Sequence, residues 1–199
     1  MRIIVIGATG TLGKAITAEL KPRHEIVEVG RKSGDIHADQ REIENLRAAF
    51  RKIGKVDAIV CAAGGAHFGP WAELTPEKFN VGLQDKFMGQ VNAVLAGQEV
   101  LNDGGSFTLT SGILSEDPIR LGAAASPVNG ALESFVRASA LELSRGLRIN
   151  IVSPSVLVES MESYGPYFRG FKPVAAAEAA RAYSKSVEGH QTGQIYKIW

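Results

Sequence analysis

The residues best suited to chemistry stand near the start of the chain, in Gly7-Ala8-Thr9-Gly10-Thr11-Leu12-Gly13. Glycines at this spacing let a backbone turn tightly at Gly7, approach a phosphate at Gly10 and pack helix on sheet at Gly13. Thr9 and Thr11 add hydroxyl donors, and Leu12 completes the candidate cofactor-binding stretch. The chemistry this favours is capture of a pyrophosphate by free N–H groups at the positive end of a helix dipole. Glycine turns also arise for steric reasons alone, so the flanking elements decide. Arg2–Ile6 is a β-branched apolar run, and Lys14–Leu20 carries apolar residues at helical spacing. Strand, glycine turn and helix together point to a nucleotide site.

A second cluster is Gly30-Arg31-Lys32-Ser33-Gly34, which follows the strand-like Glu25–Val29. An NAD-selective site places an acid here to hold the ribose 2′-hydroxyl. Arg31, with Lys32 and Ser33 beside it, instead fits a 2′-phosphate, which guanidinium binds bidentately. NADP is therefore the expected cofactor; an ordinary basic turn is the alternative. His24, His37, His67 and His190 have no ligand spacing, so no metal site is expected. His67, in GGAHFGPW, stands beside a strand end as either a substitute proton donor or a plain loop histidine. Cys61 is the single cysteine, which excludes an intrachain disulfide and makes a reduced, cytoplasmic setting the expectation. With 22 basic against 21 acidic residues and no basic stripe, nothing favours a nucleic-acid partner. No apolar run approaches the roughly 20 residues of a membrane span, so no membrane partner is expected either.

These residues need elements to hold them. Asp35–Ala38, Val56–Cys61, Ser106–Ser111, Leu147–Ser153 and Gly193–Ile198 read as further strands. Gln40–Ile53, a region from Thr75 to about Leu101 broken near Gly82 or Gly89, Pro127–Arg145 and Val174–Val187 read as helices. Alternation of this kind predicts a doubly wound, mostly parallel sheet of about seven strands with helices on both faces. A single domain over 1–199 is expected. Its ligands should lie at the carboxyl ends of the strands, which singles out the loops 7–13, 30–34, 62–71, 111–116 and 154–168.

The pattern resembles the short-chain dehydrogenase/reductase family over nearly the whole chain, which implies a three-layer Rossmann fold. GATGTLG matches the family's glycine motif, and CAAGG at 61–65 is similar to its Asn-Asn-Ala-Gly motif without the asparagines. FTLTSG at 107–112 resembles the strand that ends in the catalytic serine, here Ser111. INIVSPSV at 149–156 looks like the sixth strand and its proline-glycine turn, with Ser155 where glycine is usual; TGQIYKI resembles the last strand. The resemblance adds Ala62, Ala63, Gly64, Pro154, Ser155 and Val156 to the cofactor-binding residues. It also implies an adenine contact for Asp39, which is otherwise a cap for the next helix. The departure lies in the proton relay. Matching Leu132, Glu133 and Phe135 puts Ala125 at the family's tyrosine and Asn129 at its lysine, and no tyrosine lies between residues 72 and 163. An alanine cannot donate a proton. Lys86 falls on the family's helix asparagine, either as an acid with a pKa lowered by burial or as a solvated helix lysine.

The activity implied is NADPH-dependent hydride transfer between carbonyl and alcohol on a small apolar substrate. Ser111, Lys86, His67 and Tyr164 are the candidate catalytic residues. Tyr164 and Tyr167 lie in the loop that closes over substrate in the resembled family, and Phe68, Trp71 and Phe168 would make the pocket apolar. Without a neighbouring base Ser111 is not expected to act as a nucleophile. The other reading is a non-catalytic NADP-binding redox sensor or assembly protein, which the missing tyrosine and lysine favour. The small-residue helix near 128–140 suits either a homo-oligomer interface, as in the family, or close packing onto the sheet.

Overall fold

Apolar β-branched strands with no polar face must be covered on both sides. The computed structural model describes residues 1–199, and its sheet meets that demand. The strands are β1 (Arg2–Ile6), β2 (Glu25–Gly30), β3 (Ile36–His37), β4 (Val56–Cys61), β5 (Leu101–Thr110), β6 (Arg148–Pro154) and β7 (Ile195–Ile198). They form one seven-stranded sheet in the order β3-β2-β1-β4-β5-β6-β7, and every pairing is parallel. The helices are α1 (Thr11–Leu20), α2 (Ile43–Ile53), α3 (Pro76–Gly82), α4 (Gly89–Gly97), α5 (Ser126–Glu142), the short α6 (Met161–Tyr164) and α7 (Ala176–Glu188). One face of the sheet buries Leu46 and Phe50 of α2, Val94 of α4, and Leu132 and Val136 of α5. The other buries Ile16 and Leu20 of α1 against Ala180 and Tyr183 of α7. The result is a three-layer Rossmann α/β fold. No helix is long and apolar enough to cross a membrane.

Strand order reverses between β1 and β4, so the loops that follow these two strands splay apart there. This is where ligands bind in open α/β sheets.

Two departures from the sequence reading, and one break it expected, have local causes. β5 begins at Leu101, not Ser106, although Asn102–Gly105 reads as a turn. Asn102 Nδ2 donates to Asp57 Oδ1 at 2.8 Å and Arg145 Nη1 to the Leu101 carbonyl at 3.1 Å. These bonds hold the segment extended across a register shift between Val56 and Ala58. The long helical region is broken at both glycines that sequence marked, because Leu83–Met88 winds as a π-helix between α3 and α4. The helix expected over Pro127–Arg145 ends at Glu142, and Arg145 takes a left-handed φ of 58°. Thr75 caps α3, its hydroxyl accepting from the Lys78 N–H at 3.3 Å.

Candidate functional site

Two hollows lie side by side along the carboxyl ends of the strands and share Gly64. The first, of about 190 Å³, is lined by Gly7, Thr9, Gly30, Arg31, Asp39, Gln40, Ala63 and Gly64 among others. Its floor is the β1–α1 turn. Gly7 has φ +82°, and a Cβ on Gly13 would overlap the Gly7 carbonyl, so neither position admits another residue without rearrangement. Gly10 is the N-cap of α1 and no side chain caps it. The N–H groups that start a helix have no intrahelical partner, which leaves them to an anion. Thr9 Oγ1 lies 2.8 Å from Ser33 Oγ, tying the glycine turn to the loop after β2. Thr11, Leu12, Lys32, Ser33 and Ala62 flank this cleft without lining it; Thr11 and Lys32 are exposed.

Asp39 is engaged by its own neighbour. Arg41 donates from Nε to Oδ1 at 3.0 Å, from Nη2 to Oδ2 at 2.6 Å and from its backbone N–H to Oδ1 at 3.1 Å. The Arg41 guanidinium holds the Asp39 carboxyl below the usual carboxylate range. The cap expected of Asp39 falls elsewhere, since α2 starts three residues past Gln40 with Glu42 as its N-cap.

The second hollow, of about 280 Å³, is bounded by the loops after β4, β5 and β6 and by the π-helix. Its wall joins Gly64, Gly65, Lys86, Ser111, Ala125 and Asn129 to Pro154, Ser155 and Val156, with Phe68, Tyr164 and Phe168 supplying an aromatic side. Phe68 and Tyr164 meet edge to face at 6.0 Å. Lys86 is the single charged residue of this lining. It sits in the wide π-turn, a distortion that often marks functional positions. Its Nζ donates to the Ser111 carbonyl at 2.9 Å and to Asn129 Oδ1 at 2.7 Å. An ammonium has three N–H donors, so one remains. Burial lowers the Lys86 pKa to about 8, and the negative charge of Glu133 opposes that fall. The backbone beside it is fixed from below. Asp85 Oδ2 accepts from the Gly65 N–H at 2.8 Å, and Gln40 Nε2 donates to the Asp85 carbonyl at 2.8 Å. Gly64, at φ +108°, faces the Lys86 backbone so closely that a Cβ would lie 2.6 Å from its Cα.

Glu133 is the residue that sequence reasoning missed. On α5 it reads as one polar residue among small ones, yet it is buried, and its Oε1 accepts from Ser111 Oγ at 2.8 Å and from Ser115 Oγ at 2.7 Å. Ser111 therefore has a carboxylate neighbour, contrary to the expectation that it stands without a base. Its only proton is directed at Glu133, so towards the cavity the Ser111 oxygen can only accept. The signal was the match of Glu133 to the family's helix pattern, which located the residue without saying where it points.

Three residues expected at the cavity, His67, Trp71 and Tyr167, do not line it. His67 is half-buried but does not line the cavity, and its ring is turned onto its own loop: a Cβ on Gly69 would lie 2.7 Å from Nε2. Trp71 is 79% exposed on a short helical turn outside the cavity, and Tyr167 is exposed as well. Cys61 is buried, and burial pushes its thiol up to about 12. No three His, Cys, Asp or Glu side chains converge as a metal-binding group.

With this geometry in view, comparisons with known proteins are specific. A family model described as enoyl-(acyl carrier protein) reductase matches residues 4–192. A curated relative, an uncharacterized oxidoreductase of Methylorubrum extorquens, is 28% identical over 138 residues. The match takes in 67% of this chain and 56% of the relative, so the chain spans little more than half of that protein's length. Among solved structures, the protein lin1944 from Listeria innocua is 50% identical, with a TM-score of 0.98 and full coverage of both chains. A small-chain dehydrogenase solved in complex with NADPH shares the fold at 24% identity and a TM-score of 0.88, over 100% of this chain and 96% of the other.

Proposed function

The chain belongs to the short-chain dehydrogenase/reductase family, an oxidoreductase family, and we propose that it is an NADP-dependent member transferring hydride between a carbonyl and an alcohol. The observation that carries the reading is Lys86: a half-buried side chain whose ammonium is fixed by the Ser111 carbonyl and Asn129, with one N–H left at the wall of a mostly apolar cavity.

The residues present fit a dinucleotide. The glycine turn leaves the start of α1 uncapped for a pyrophosphate, and exposed Arg31 stands at the mouth of the first cleft for a 2′-phosphate. Ser155, buried in the wall of the second hollow just past β6, has an Oγ with no partner within the chain. Thr9, Gly10, Ala63, Gly64, Pro154 and Val156 complete this cradle. When bound, the cofactor supplies the hydride; the protein supplies position and protons.

Lys86 takes the acid's part. An amine that titrates near 8 is protonated at neutral pH and still gives up its proton readily, which suits a general acid. Its free N–H polarises the substrate oxygen and its proton from Nζ neutralises the alkoxide. Ser111, whose own proton is committed to Glu133, orients the hydroxyl of the alcohol by accepting from it. Lys86 and Asn129 thereby stand in exchanged places relative to the family's asparagine and lysine, while the methyl of Ala125 leaves its tyrosine's place empty of a hydroxyl. Phe68, Phe168 and Tyr164 select an apolar body and keep water from it. The residues named form a small-molecule site.

The test is a fluorescence titration with NADPH and NADH side by side, followed by NADPH consumption against a panel of short ketones and aldehydes. NADPH binding at least tenfold tighter, with turnover lost in Lys86→Met, is the expected result. A second reading, an NADP-binding protein without turnover, is favoured by one observation, Ala125 and Asn129 in place of the family's tyrosine and lysine. NADPH binding without turnover on any of the panel would select it, and binding of neither cofactor would discard both.

A further inference from the structure

The first cleft is lined by an acid, Asp39, as well as by Arg31, the residue read as the 2′-phosphate contact. Asp39 and Arg31 line the same cleft, and Arg31 lies close enough to help lower the Asp39 pKa. A carboxylate beside an incoming dianion is repulsive, and near a protein surface that repulsion amounts to a substantial fraction of a good phosphate contact. An uncovered Asp39 would also compete with a phosphate for Arg31.

The structure resolves this conflict through Arg41. Its guanidinium grips both oxygens of Asp39 in a planar fork, and the backbone N–H of the same residue adds a further bond. The pair is local, two residues apart in sequence, and Asp39 is the more buried partner, at 20% side-chain exposure against 46% for Arg41. Arg31 is thus the guanidinium of the cleft that is not tied to an acid. The other carboxylate of the cleft, Asp85, is bound by the Gly65 N–H on the side of the second hollow. Arg31 and Arg41 also line one neighbouring recess, together with Glu77, Gln84 and Asp85.

We propose that Arg41 is a positioning residue for cofactor choice: by neutralising Asp39 it frees Arg31 for the 2′-phosphate and removes the repulsion that would otherwise reject it. The proposal rests on the NADP reading above and names the device that makes it possible. It assigns Asp39 an electrostatic part, countered by Arg41, in place of the adenine contact implied by resemblance.

The test uses fragments that need no substrate and no turnover: adenosine 2′,5′-bisphosphate and adenosine 5′-monophosphate, titrated calorimetrically into the full chain at about 50 mM salt. Wild type should prefer the bisphosphate. Arg41→Gln should lose about fivefold of that preference, within a range of roughly three to ten, since the uncovered charge acts across partly screened solvent. Asp39→Asn in the Arg41→Gln background should restore it, because no charge is left to cover. Arg41 is exposed, so these variants should keep the wild-type melting temperature within a few degrees, which a thermal scan verifies. If Arg41→Gln leaves the preference unchanged, the proposal is overturned. If the preference falls but Asp39→Asn does not restore it, Arg41 contacts the phosphate directly and the proposal is again overturned. Absence of any preference in wild type would overturn the NADP reading itself, a distinct result.

Discussion

The sharpest consequence of the site concerns the charge on Lys86 when Glu133 is altered. Glu133→Gln keeps an oxygen to accept from Ser111 and Ser115, so the hydrogen-bonded frame persists while the negative charge disappears. Lys86 Nζ reaches the Ser111 carbonyl at 2.9 Å, and Ser111 Oγ reaches Glu133 at 2.8 Å. With a serine between them, ammonium and carboxylate are no more than about 10 Å apart. At an effective dielectric of about 20, that separation is worth at least roughly 1.7 kcal/mol, a little over one pKa unit or more. Burial already lowers Lys86 to about 8 and Glu133 opposes it, so the variant's amine should titrate near or just below about 7. Competitive labelling with trace acetic anhydride across a pH series, read on the Lys86 peptide by mass spectrometry, measures this without substrate. If carbonyl reduction uses the Lys86 proton, its alkaline decline should move down by the same interval. An amine titrating near the ordinary lysine value in the wild type, or at the same pH in both proteins, would refute the reasoning.

Two further outcomes follow from the same geometry. Ser111→Ala should leave NADPH affinity within about twofold and cut turnover by roughly ten- to a hundredfold, the scale of a lost orienting hydrogen bond; unchanged turnover would remove Ser111 from the mechanism. Because the folded pKa of Lys86 lies below the value of 10.5 expected when unfolded, the unfolded chain binds more protons between about pH 8 and 10.5. Stability should therefore rise with pH across that window by up to about 3 kcal/mol relative to Lys86→Met, as denaturant melts at pH 7.5 and 10 would register.

Sequence made the frame readable because buried parallel strands and glycine turns leave dense local signals. Arg2–Ile6 followed by the Gly7–Gly13 turn needs no distant partner to be recognised, and both glycine breaks at 82 and 89 appear in the structure. The pocket-forming residues Ser111, Lys86, Tyr164 and Phe168 were equally accessible, since strand ends define the cavity. What escaped depends on direction. Glu133 is polar on a helix whose other face is solvated, and only the packing of α5 against the loop after β5 turns it inward beneath Ser111. His67 shows the reverse, a titratable side chain at the expected strand end that rotates onto its own loop. The Asp39–Arg41 fork lies in the irregular turn between β3 and α2, where no periodicity announces which side chains will meet.

The π-turn at Leu83–Met88 makes one dimension of this protein unusual, its length. A π-turn spends more residues on each revolution than an α-helix does. Removing one residue within that stretch would let the helix rewind regularly, with α3 and α4 keeping their faces towards the sheet. The same deletion in either flanking helix would rotate everything beyond it by about 100°. Lys86 stands on the surplus itself, so rewinding would carry its amine off the cavity wall and leave the layers intact. A single codon is thus enough to separate the architecture of the chain from its chemistry.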